Sequence, residues 1–166
     1  MPVSLGCLQD LDSLDLSGNS LRDTIPASFG EMQSLIYMDI SNNFLSGKIP
    51  NSIFENLTNL TYLDLSNNWK EDEDASSGIT GQLPTTLNTN RQAILRLSNN
   101  KLGGRIPNEL GAIESLEIID FGDSKGQNRT EGNTFSSLPE QVNWPSLEVI
   151  TINNNDLGSE IPATLW

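Results

Sequence analysis

The residues of this chain that could do chemistry are mostly carboxylates, and the side chains that usually assist catalytic carboxylates are scarce. The sequence holds 22 Asp and Glu against 9 Lys and Arg, has no His, and carries a formal net charge of −13. The lack of His removes the usual general base and the commonest metal ligand. Cys7 is the single cysteine, so no intrachain disulfide or thiolate metal cluster can form. The sequence also lacks a nucleophile motif, and it therefore predicts no enzyme, no cofactor and no metal.

The densest acidic run, residues 71–74 (EDED), has two interpretations. It is either a solvated loop or a weak calcium site. We favour the loop because the alternating Asn/Asp and the Gly of a calcium-binding loop are missing. The acidic balance of the chain also argues against a nucleic-acid-binding face, which needs basic residues.

The other recurring polar residues surround a short apolar pattern, L-x-L, which occurs six times. The segment 35–50, LIYMDISNNFLSGKIP, shows the whole unit: alternating apolar residues typical of a strand, an Asn, and a Gly-x-Ile-Pro corner. One unit cannot bury its apolar face alone, so the units must stack. The repeats begin at Leu11, Leu35, Leu60, Gln92, Leu116 and Leu147.

This register divides the chain into a single domain, 1–166, with a partial repeat 1–10, repeats 11–34, 35–59, 60–91, 92–115 and 116–146, and a truncated repeat 147–166. The Asn column contains Asn19, Asn43, Asn68, Asn100, Ser124 and Asn155, in which Ser124 is the one departure. Neither end has a recognisable polar capping repeat, so we expect a fragment of a longer array whose open ends fray or self-associate.

Each L-x-L segment should form a short parallel strand, stacked about 4.8 Å from the next. The Pro-led half of each repeat should return on the opposite, convex side through a helical or 3₁₀ turn. The buried Asn amides can both donate to and accept from the backbone of neighbouring turns.

The segments LDLSGNSLRDTIPASFG, LTYLDLSNN and LSNNKLGGRIPNELG resemble the plant-type leucine-rich repeat. The resemblance implies an α/β solenoid, a right-handed superhelix with a parallel sheet on the concave face, short 3₁₀ or helical turns on the convex face, and often a second short sheet near L-x-G-x-I-P. The chain is similar to the ectodomains of receptor-like proteins and receptor-like kinases. The family implies recognition of a peptide, protein or small signal on the concave side.

Strand alternation assigns three side chains per repeat to the concave solvent. The first column contains Ser13, Tyr37, Tyr62, Ile94, Ile118 and Val149, the second Asp15, Asp39, Asp64, Arg96, Asp120 and Thr151, and the third Ser17, Ser41, Ser66, Ser98, Gly122 and Asn153. We interpret the recurring Asp-x-Ser mainly as framework. Arg96 differs because it interrupts an acidic column between two Asp neighbours. We therefore predict a ligand site at Tyr37, Tyr62, Asp64, Ile94, Arg96, Ile118 and Asp120.

Two repeats carry inserts, at Trp69–Gly78 and at about Lys125–Ser137. Counted from the L-x-L pair, both begin just after the Asn column. We expect them on one edge of the solenoid, more mobile than the strands they follow and beside the ligand site. Drift in a tolerant surface loop is the open alternative.

Candidate glycosylation sites occur at Asn56, Asn59 and Asn128, although a chain this rich in Asn, Ser and Thr contains roughly three such triplets by chance. No apolar run approaches the length of a membrane span. The leading hypothesis is a non-catalytic recognition module of a receptor-like protein, extracellular or at the cell surface, which binds a protein or peptide and a possible co-receptor. The alternative is a secreted leucine-rich-repeat inhibitor, or a surface- or ice-binding relative.

Overall fold

The structure is a computed structural model that describes residues 1–69, 77–87, 91–123, 132–158 and 161–162. One strand from each repeat enters a six-stranded parallel sheet with the order β1-β2-β4-β6-β8-β10. Its strands are β1 (Ser13–Asp15), β2 (Tyr37–Asp39), β4 (Tyr62–Asp64), β6 (Ile94–Arg96), β8 (Ile118–Asp120) and β10 (Val149–Thr151). Neighbouring strands pair without any register shift, so equivalent residues of successive repeats lie side by side.

A second parallel sheet of four strands is formed by the segments that follow the Asn turns, as the resemblance implied. It has the order β3-β5-β7-β9. Its strands are β3 (Ser46–Lys48), β5 (Gly78–Gly81), β7 (Lys101–Arg105) and β9 (Thr134–Ser137).

The Pro-led halves return as short helical turns after Pro2, Pro26, Pro50 and Pro107. Two 3₁₀ helices span Val3–Cys7 and Ala27–Glu31, and two α-helices are α1 (Asn51–Asn56) and α2 (Asn108–Gly111). Each begins directly after a Pro with an extended backbone, where the missing N–H costs nothing. The described residues after Pro84 and Pro139 are not helical. None of the helices in the described ranges is long and apolar enough to span a membrane.

The core lies between the two sheets and the helical turns and runs along the whole stack. Its largest fully buried side chains include Phe29, Phe54, Phe121 and Phe135. Successive turns approach closely at Gly30, where a Cβ would lie 2.4 Å from the Ser52 side chain. The same Ser52 hydroxyl donates to the carbonyl of Ala27 at 2.8 Å, so this Gly allows adjacent repeats to hydrogen-bond across the helical layer.

A ladder of buried Asn side chains joins the repeats on the inside of the turns. Each accepts a backbone N–H of the preceding repeat and donates to backbone carbonyls: Asn68, for example, accepts from Leu45 at 3.0 Å and donates to Leu65 at 2.9 Å. The assignment of Ser124 to this ladder is wrong. Asn133 takes the position, because it accepts from the Leu102 N–H at 2.9 Å and donates to two carbonyls.

The second sheet contains a column of glycines with positive φ, at Gly47 (73°), Gly81 (94°) and Gly104 (80°). A side chain of the previous repeat (Thr24, Lys48 or Gln82) lies across each of them. A Cβ on Gly81 would lie 3.1 Å from Lys48, and one on Gly104 would lie 2.8 Å from Gln82. The Gly of L-x-G-x-I-P is therefore required by backbone conformation and by the packing of neighbouring repeats.

The insert boundaries expected from sequence differ from the structure. Trp69 is buried at 6% exposure, and Gly78 already belongs to β5. In the fifth repeat, Thr134–Ser137 forms strand β9, and the insert precedes the Asn of the ladder instead of following it. The interiors of both inserts, with the acidic run 71–74, lie outside the described residues. Their shared edge and their mobility stay predictions.

Candidate functional site

The first two columns predicted from strand alternation lie side by side on the outer face of the six-stranded sheet, and the third column comes just after its strands. Tyr37 pairs with Tyr62, Tyr62 with Ile94 and Ile94 with Ile118, while Asp64 pairs with Arg96 and Arg96 with Asp120. We call this surface the tyrosine face, formed by the three columns given above. The structure thus brings together all seven residues that were predicted as a ligand site.

The two tyrosines form the centre of this face. Their rings are stacked, with centroids 4.3 Å apart and an interplanar angle of 16°. Each hydroxyl lies 3.4 Å from the carboxylate two residues later in its own strand, Asp39 for Tyr37 and Asp64 for Tyr62. Burial raises the pKa of Tyr37, and the negative charges of Asp39, of an ionised Tyr62 and of Asp15 add to the effect. The resulting pKa is about 12. Burial and the Asp64 charge also raise the pKa of Tyr62.

Two carboxylates of the second column are less exposed than expected. Asp39 and Asp64 are only 9% and 6% exposed. Each accepts a hydrogen bond at 2.9 Å from the backbone N–H of the Ser two residues later, and the Ser66 hydroxyl adds a 2.6 Å bond to Asp64. The long tyrosine side chain on the same face and these turns shield both groups. This hydrogen bonding agrees with a framework role for Asp-x-Ser.

Burial acts most strongly on Asp64, whose pKa it raises above the usual value of 3.8. The Ser66 hydrogen bonds and Arg96 oppose that rise. Asp15, at the first strand, behaves in the opposite way. It is exposed, and its hydrogen bonds from Ser17 lower its pKa.

Arg96 is directed toward the tyrosines. Its Nη1 donates to the Tyr62 hydroxyl at 2.9 Å and lies 3.8 Å from the Asp64 carboxylate. Its guanidinium carbon is 5.7 Å from the Tyr62 ring centroid. We expected the guanidinium to lie between Asp64 and Asp120. Instead, within the described part of the chain, Asp120 is not one of its partners and accepts from the Ser98 hydroxyl at 2.7 Å.

Ile94 and Ile118 continue the aromatic strip and are half-buried. Sequence reasoning missed Gln92, which begins the fourth repeat where a Leu begins most others. It is buried at 1% exposure, and its Nε2 donates to the carbonyl of Thr61 at 3.2 Å. A polar residue at a core position was the available signal.

Two shallow grooves lie away from the tyrosine face, along the end of the second sheet. Their volumes are about 490 and 500 Å³, and they share Gln82, Leu83 and Thr85. None of the seven predicted ligand-site residues lines either groove.

Two of the three candidate glycosylation sites belong to the described residues. Asn56 is the exposed last residue of α1. Asn59 is half-buried, and its amide donates to the carbonyl of Gln33 at 3.1 Å. Asn128 lies outside the described residues.

Two family models, both described as leucine-rich repeat, match residues 9–69 and residues 59–89 and 93–113, which together make up well over half of the chain. A search of the curated proteins found no match.

Solved structures similar to this chain include plant receptor proteins. One is the Arabidopsis receptor kinase HAESA in complex with the peptide hormone IDA and the co-receptor SERK1, at 28% identity and a TM-score of 0.74, covering 99% of this chain and 29% of that one. Another is the leucine-rich-repeat ectodomain of the receptor kinase GASSHO1/SCHENGEN3 from Arabidopsis thaliana in complex with CASPARIAN STRIP INTEGRITY FACTOR 2, at 31% identity and a TM-score of 0.65, covering 99% and 21%.

A third is the BIR2 ectodomain from Arabidopsis thaliana, at 28% identity and a TM-score of 0.65, covering 90% of this chain and 71% of that one. This chain spans less than a third of the length of the first two structures. The parallel strands and short helical turns match these solenoids, which confirms the predicted fold class. The chain therefore belongs to the leucine-rich-repeat family, of the plant type found in receptor kinase ectodomains.

Proposed function

We propose that this chain is a non-catalytic recognition module of a receptor-like protein and that its tyrosine face binds a protein or peptide. The contacts would centre on Tyr37, Tyr62, Ile94, Arg96 and Ile118, with Asp64 and Asp120 beside them. Tyrosines supply large, rigid contact area at a low cost in side-chain entropy, and both Tyr and Arg are enriched among interface hot spots.

The observation that carries this proposal is the unused hydrogen-bonding capacity of Arg96. A guanidinium offers five N–H donors. In the described part of the chain, Arg96 donates one hydrogen bond, to Tyr62, and its side chain is 35% exposed. The remaining donors can bind a carboxylate or carbonyl of a ligand, and a planar fork does so bidentately.

Two further findings support a receptor-type role. The HAESA structure holds a peptide hormone and a co-receptor, and a co-receptor for this chain is part of the proposal. The relatives named as ectodomains also support an extracellular or cell-surface location. A non-catalytic role agrees with the absence of His from the sequence.

The ice-binding alternative gains no support from this face. A regular polar surface would need its third column exposed, whereas Ser41, Ser66 and Ser98 are buried at 3%, 5% and 7% exposure. A secreted inhibitor would use the same face for a protein partner, and a full-length transcript distinguishes it from a receptor.

The test is to recover a partner by pull-down with the chain and then compare Tyr62→Ala with the parent. Removing this central ring should weaken binding by about 2 kcal/mol or more, the scale of a hot spot. Leu87→Ala, a half-buried apolar residue away from the tyrosine face, is the control, and circular dichroism checks that both variants fold. Unchanged binding by a folded Tyr62→Ala variant would show that the tyrosine face is not the binding site, and the inserts or the lateral edge would become the candidates.

A further inference from the structure

The tyrosine stack has two ends, and among the described residues a guanidinium lies at only one of them. At the end formed by Tyr62, Arg96 lies 5.7 Å from the ring centroid, donates to the tyrosine hydroxyl and pairs with Asp64. An aromatic ring, a phenol oxygen and a carboxylate therefore hold one cation together. This arrangement is a template within the same protein for how the tyrosine face binds a guanidinium.

The opposite end of the stack is open. One face of the Tyr37 ring packs on Tyr62, so its other face is directed toward strand β1. The residue in register there is Ser13, which is exposed and too short to cover an aromatic ring. The stack spacing of 4.3 Å is close to the spacing between strands. A planar group above Ser13 would therefore continue the stack.

The charges at this open end are negative and have no basic partner among the described residues. Asp15 is exposed beside Ser13, and Asp39 lies next to Asp15 in register. The ion pairs found within the described ranges involve Arg96 with Asp64 and Arg105 with Glu140. The Tyr37 end thus repeats the ring, the hydroxyl and the carboxylates of the Tyr62 end without its cation.

We infer that the open face of Tyr37, above Ser13 and beside Asp15 and Asp39, is a subsite for an arginine side chain of the bound peptide or protein. This inference rests on the proposed function and specifies its ligand. A guanidinium fits the subsite better than an ammonium because its flat surface stacks on the ring while its N–H groups reach both carboxylates. Burial and, after it, the negative charges of Asp39 and Asp15 raise the pKa of Tyr37, which agrees with the acidic character of this end.

The two ends together set a charge pattern for the ligand. Arg96 is two strands from Tyr37 and three from Ser13, about 10–14 Å along the sheet. Extended chain covers that distance in about three to four residues. The ligand should therefore carry an arginine at the Tyr37 end and an acidic group or free carbonyl about three to four residues away, at Arg96.

The experiment uses two short probe peptides, acetyl-Gly-Arg-Gly-amide and the same peptide with citrulline, which keeps the shape of arginine but has no charge. Each is titrated into the isotope-labelled chain while the backbone amide signals are followed by NMR. We expect the arginine peptide to shift the signals of Ser13, Asp15 and Tyr37 and to bind about two- to five-fold more tightly than the citrulline peptide.

Three variants localise the effect. Asp15→Asn removes an exposed charge at the subsite and should abolish most of the preference for arginine, whereas Tyr37→Phe keeps the ring and should retain it. Glu109→Gln makes the same charge change on the exposed surface of α2 and should leave the preference intact. Equal binding of the two peptides would overturn the subsite, because the charge of arginine then contributes nothing. An equal effect of Asp15→Asn and Glu109→Gln would also overturn it, because general attraction to a chain of net charge −13 is then the whole effect.

This test can fail separately from the proposed function. If Tyr62→Ala loses the natural partner while the probe shows no preference for arginine, the binding face stands and the arginine subsite is wrong. If the probe selects arginine at Tyr37 while Tyr62→Ala binds the partner normally, the subsite exists but the partner binds elsewhere.

Discussion

The side-chain oxygen of Asn133 accepts the backbone N–H of Leu102 at 2.9 Å. The same bond joins Asn100 to Ile79 at 3.0 Å and Asn68 to Leu45 at 3.0 Å in the preceding repeats. The Asn ladder therefore runs through the fifth repeat without a break, although an insert interrupts the sequence there. The residue that occupies the ladder position is therefore determined by the hydrogen bonds of the ladder and not by a fixed number of residues after the strand.

Asn133→Ala should destabilise the chain although the residue lies next to an insert. The substitution leaves the Leu102 N–H and the Leu97 and Phe121 carbonyls without their buried partner, at a cost of about 1–3 kcal/mol in the free energy of unfolding. Asn19→Ala is the control, since Asn19 is exposed at the first repeat. Urea denaturation of both variants measures the difference, and equal midpoints would contradict the assignment of Asn133 to the ladder.

The sequence predicts the position of this Asn if the repeat is aligned on the elements that follow the Asn. Counting from the L-x-L pair places Ser124 in the column, because counting assumes that inserts follow the Asn. The segment Asn133-Thr134-Phe135, followed by Leu138-Pro139, repeats the N-x-L and I-P elements. An unmet N–H at Leu102 would cost more than a longer surface loop does, since loop-closure entropy grows slowly with loop length. The Asn with the correct downstream pattern therefore takes the position.

Gly81→Ala should also destabilise the chain, for a reason that lies in the backbone. The residue has a φ of 94°, and a Cβ would press on the Lys48 side chain at 3.1 Å. An L-residue in a left-handed conformation costs about 1–2 kcal/mol. Gly158→Ala is the matched control, since its φ is ordinary and, among the described residues, the one atom near an added Cβ is 3.9 Å away. A melting temperature for Gly81→Ala equal to that of this control would count against the packing role of the glycine column.

The tyrosine stack should be visible in an alkaline titration, because Tyr37 and Tyr62 are the two tyrosines of the chain. The pKa of Tyr37 is raised to about 12 from 10.0. A raised folded pKa means that this group stabilises the fold below the unfolded pKa, and the stabilisation is lost as the pH rises from 10 toward 12. The tyrosinate absorbance should therefore develop above pH 10 in the folded chain and near pH 10 in denaturant. Coincident titrations in the two conditions would show that Tyr37 is not buried beside Asp39 as described.

Asp64 and Asp15 should give opposite pH dependences of stability. The folded pKa of Asp64 is raised, so its favourable contribution is present below the unfolded value of 3.8 and is lost as the pH rises through the folded pKa. The folded pKa of Asp15 is lowered, so its contribution is present above 3.8 and is lost as the pH falls through the folded pKa.

The melting temperature of Asp64→Asn relative to that of the parent should therefore be higher at about pH 7 than at about pH 3. Asn still accepts the hydrogen bond from Ser66, so the variant loses only the charge. The melting temperature of Asp15→Asn relative to that of the parent should be lower at about pH 7 than at about pH 3. Thermal melts of both variants and the parent measure the two trends. Parallel trends would mean that burial of Asp64 does not govern its ionisation.

These carboxylates also show where sequence reasoning about the site reaches its limit. Period-two alternation predicted which residues share the outer face, because side chains of a strand must alternate. It could not predict exposure. Asp64 is covered because Tyr62 lies two residues before it and Ser66 two residues after it, and both contact its carboxylate. The direction of Arg96 was equally hidden, since the phenol oxygen of Tyr62 provides an acceptor that the charge pattern of the column does not reveal.

Arg96→Lys distinguishes a ligand-binding role from a structural one. A lysine can still donate one hydrogen bond to Tyr62 and pair with Asp64, so neither group loses its partner and the free energy of unfolding should change little. A lysine cannot offer the planar fork that binds a carboxylate bidentately. If the ligand uses that fork, its affinity should fall by about 1–3 kcal/mol. Arg105→Lys is the control, because that side chain is on the second sheet and pairs with exposed Glu140. Isothermal titration with the recovered partner measures both variants, and equal affinity of Arg96→Lys and the parent would leave Arg96 with its structural role alone.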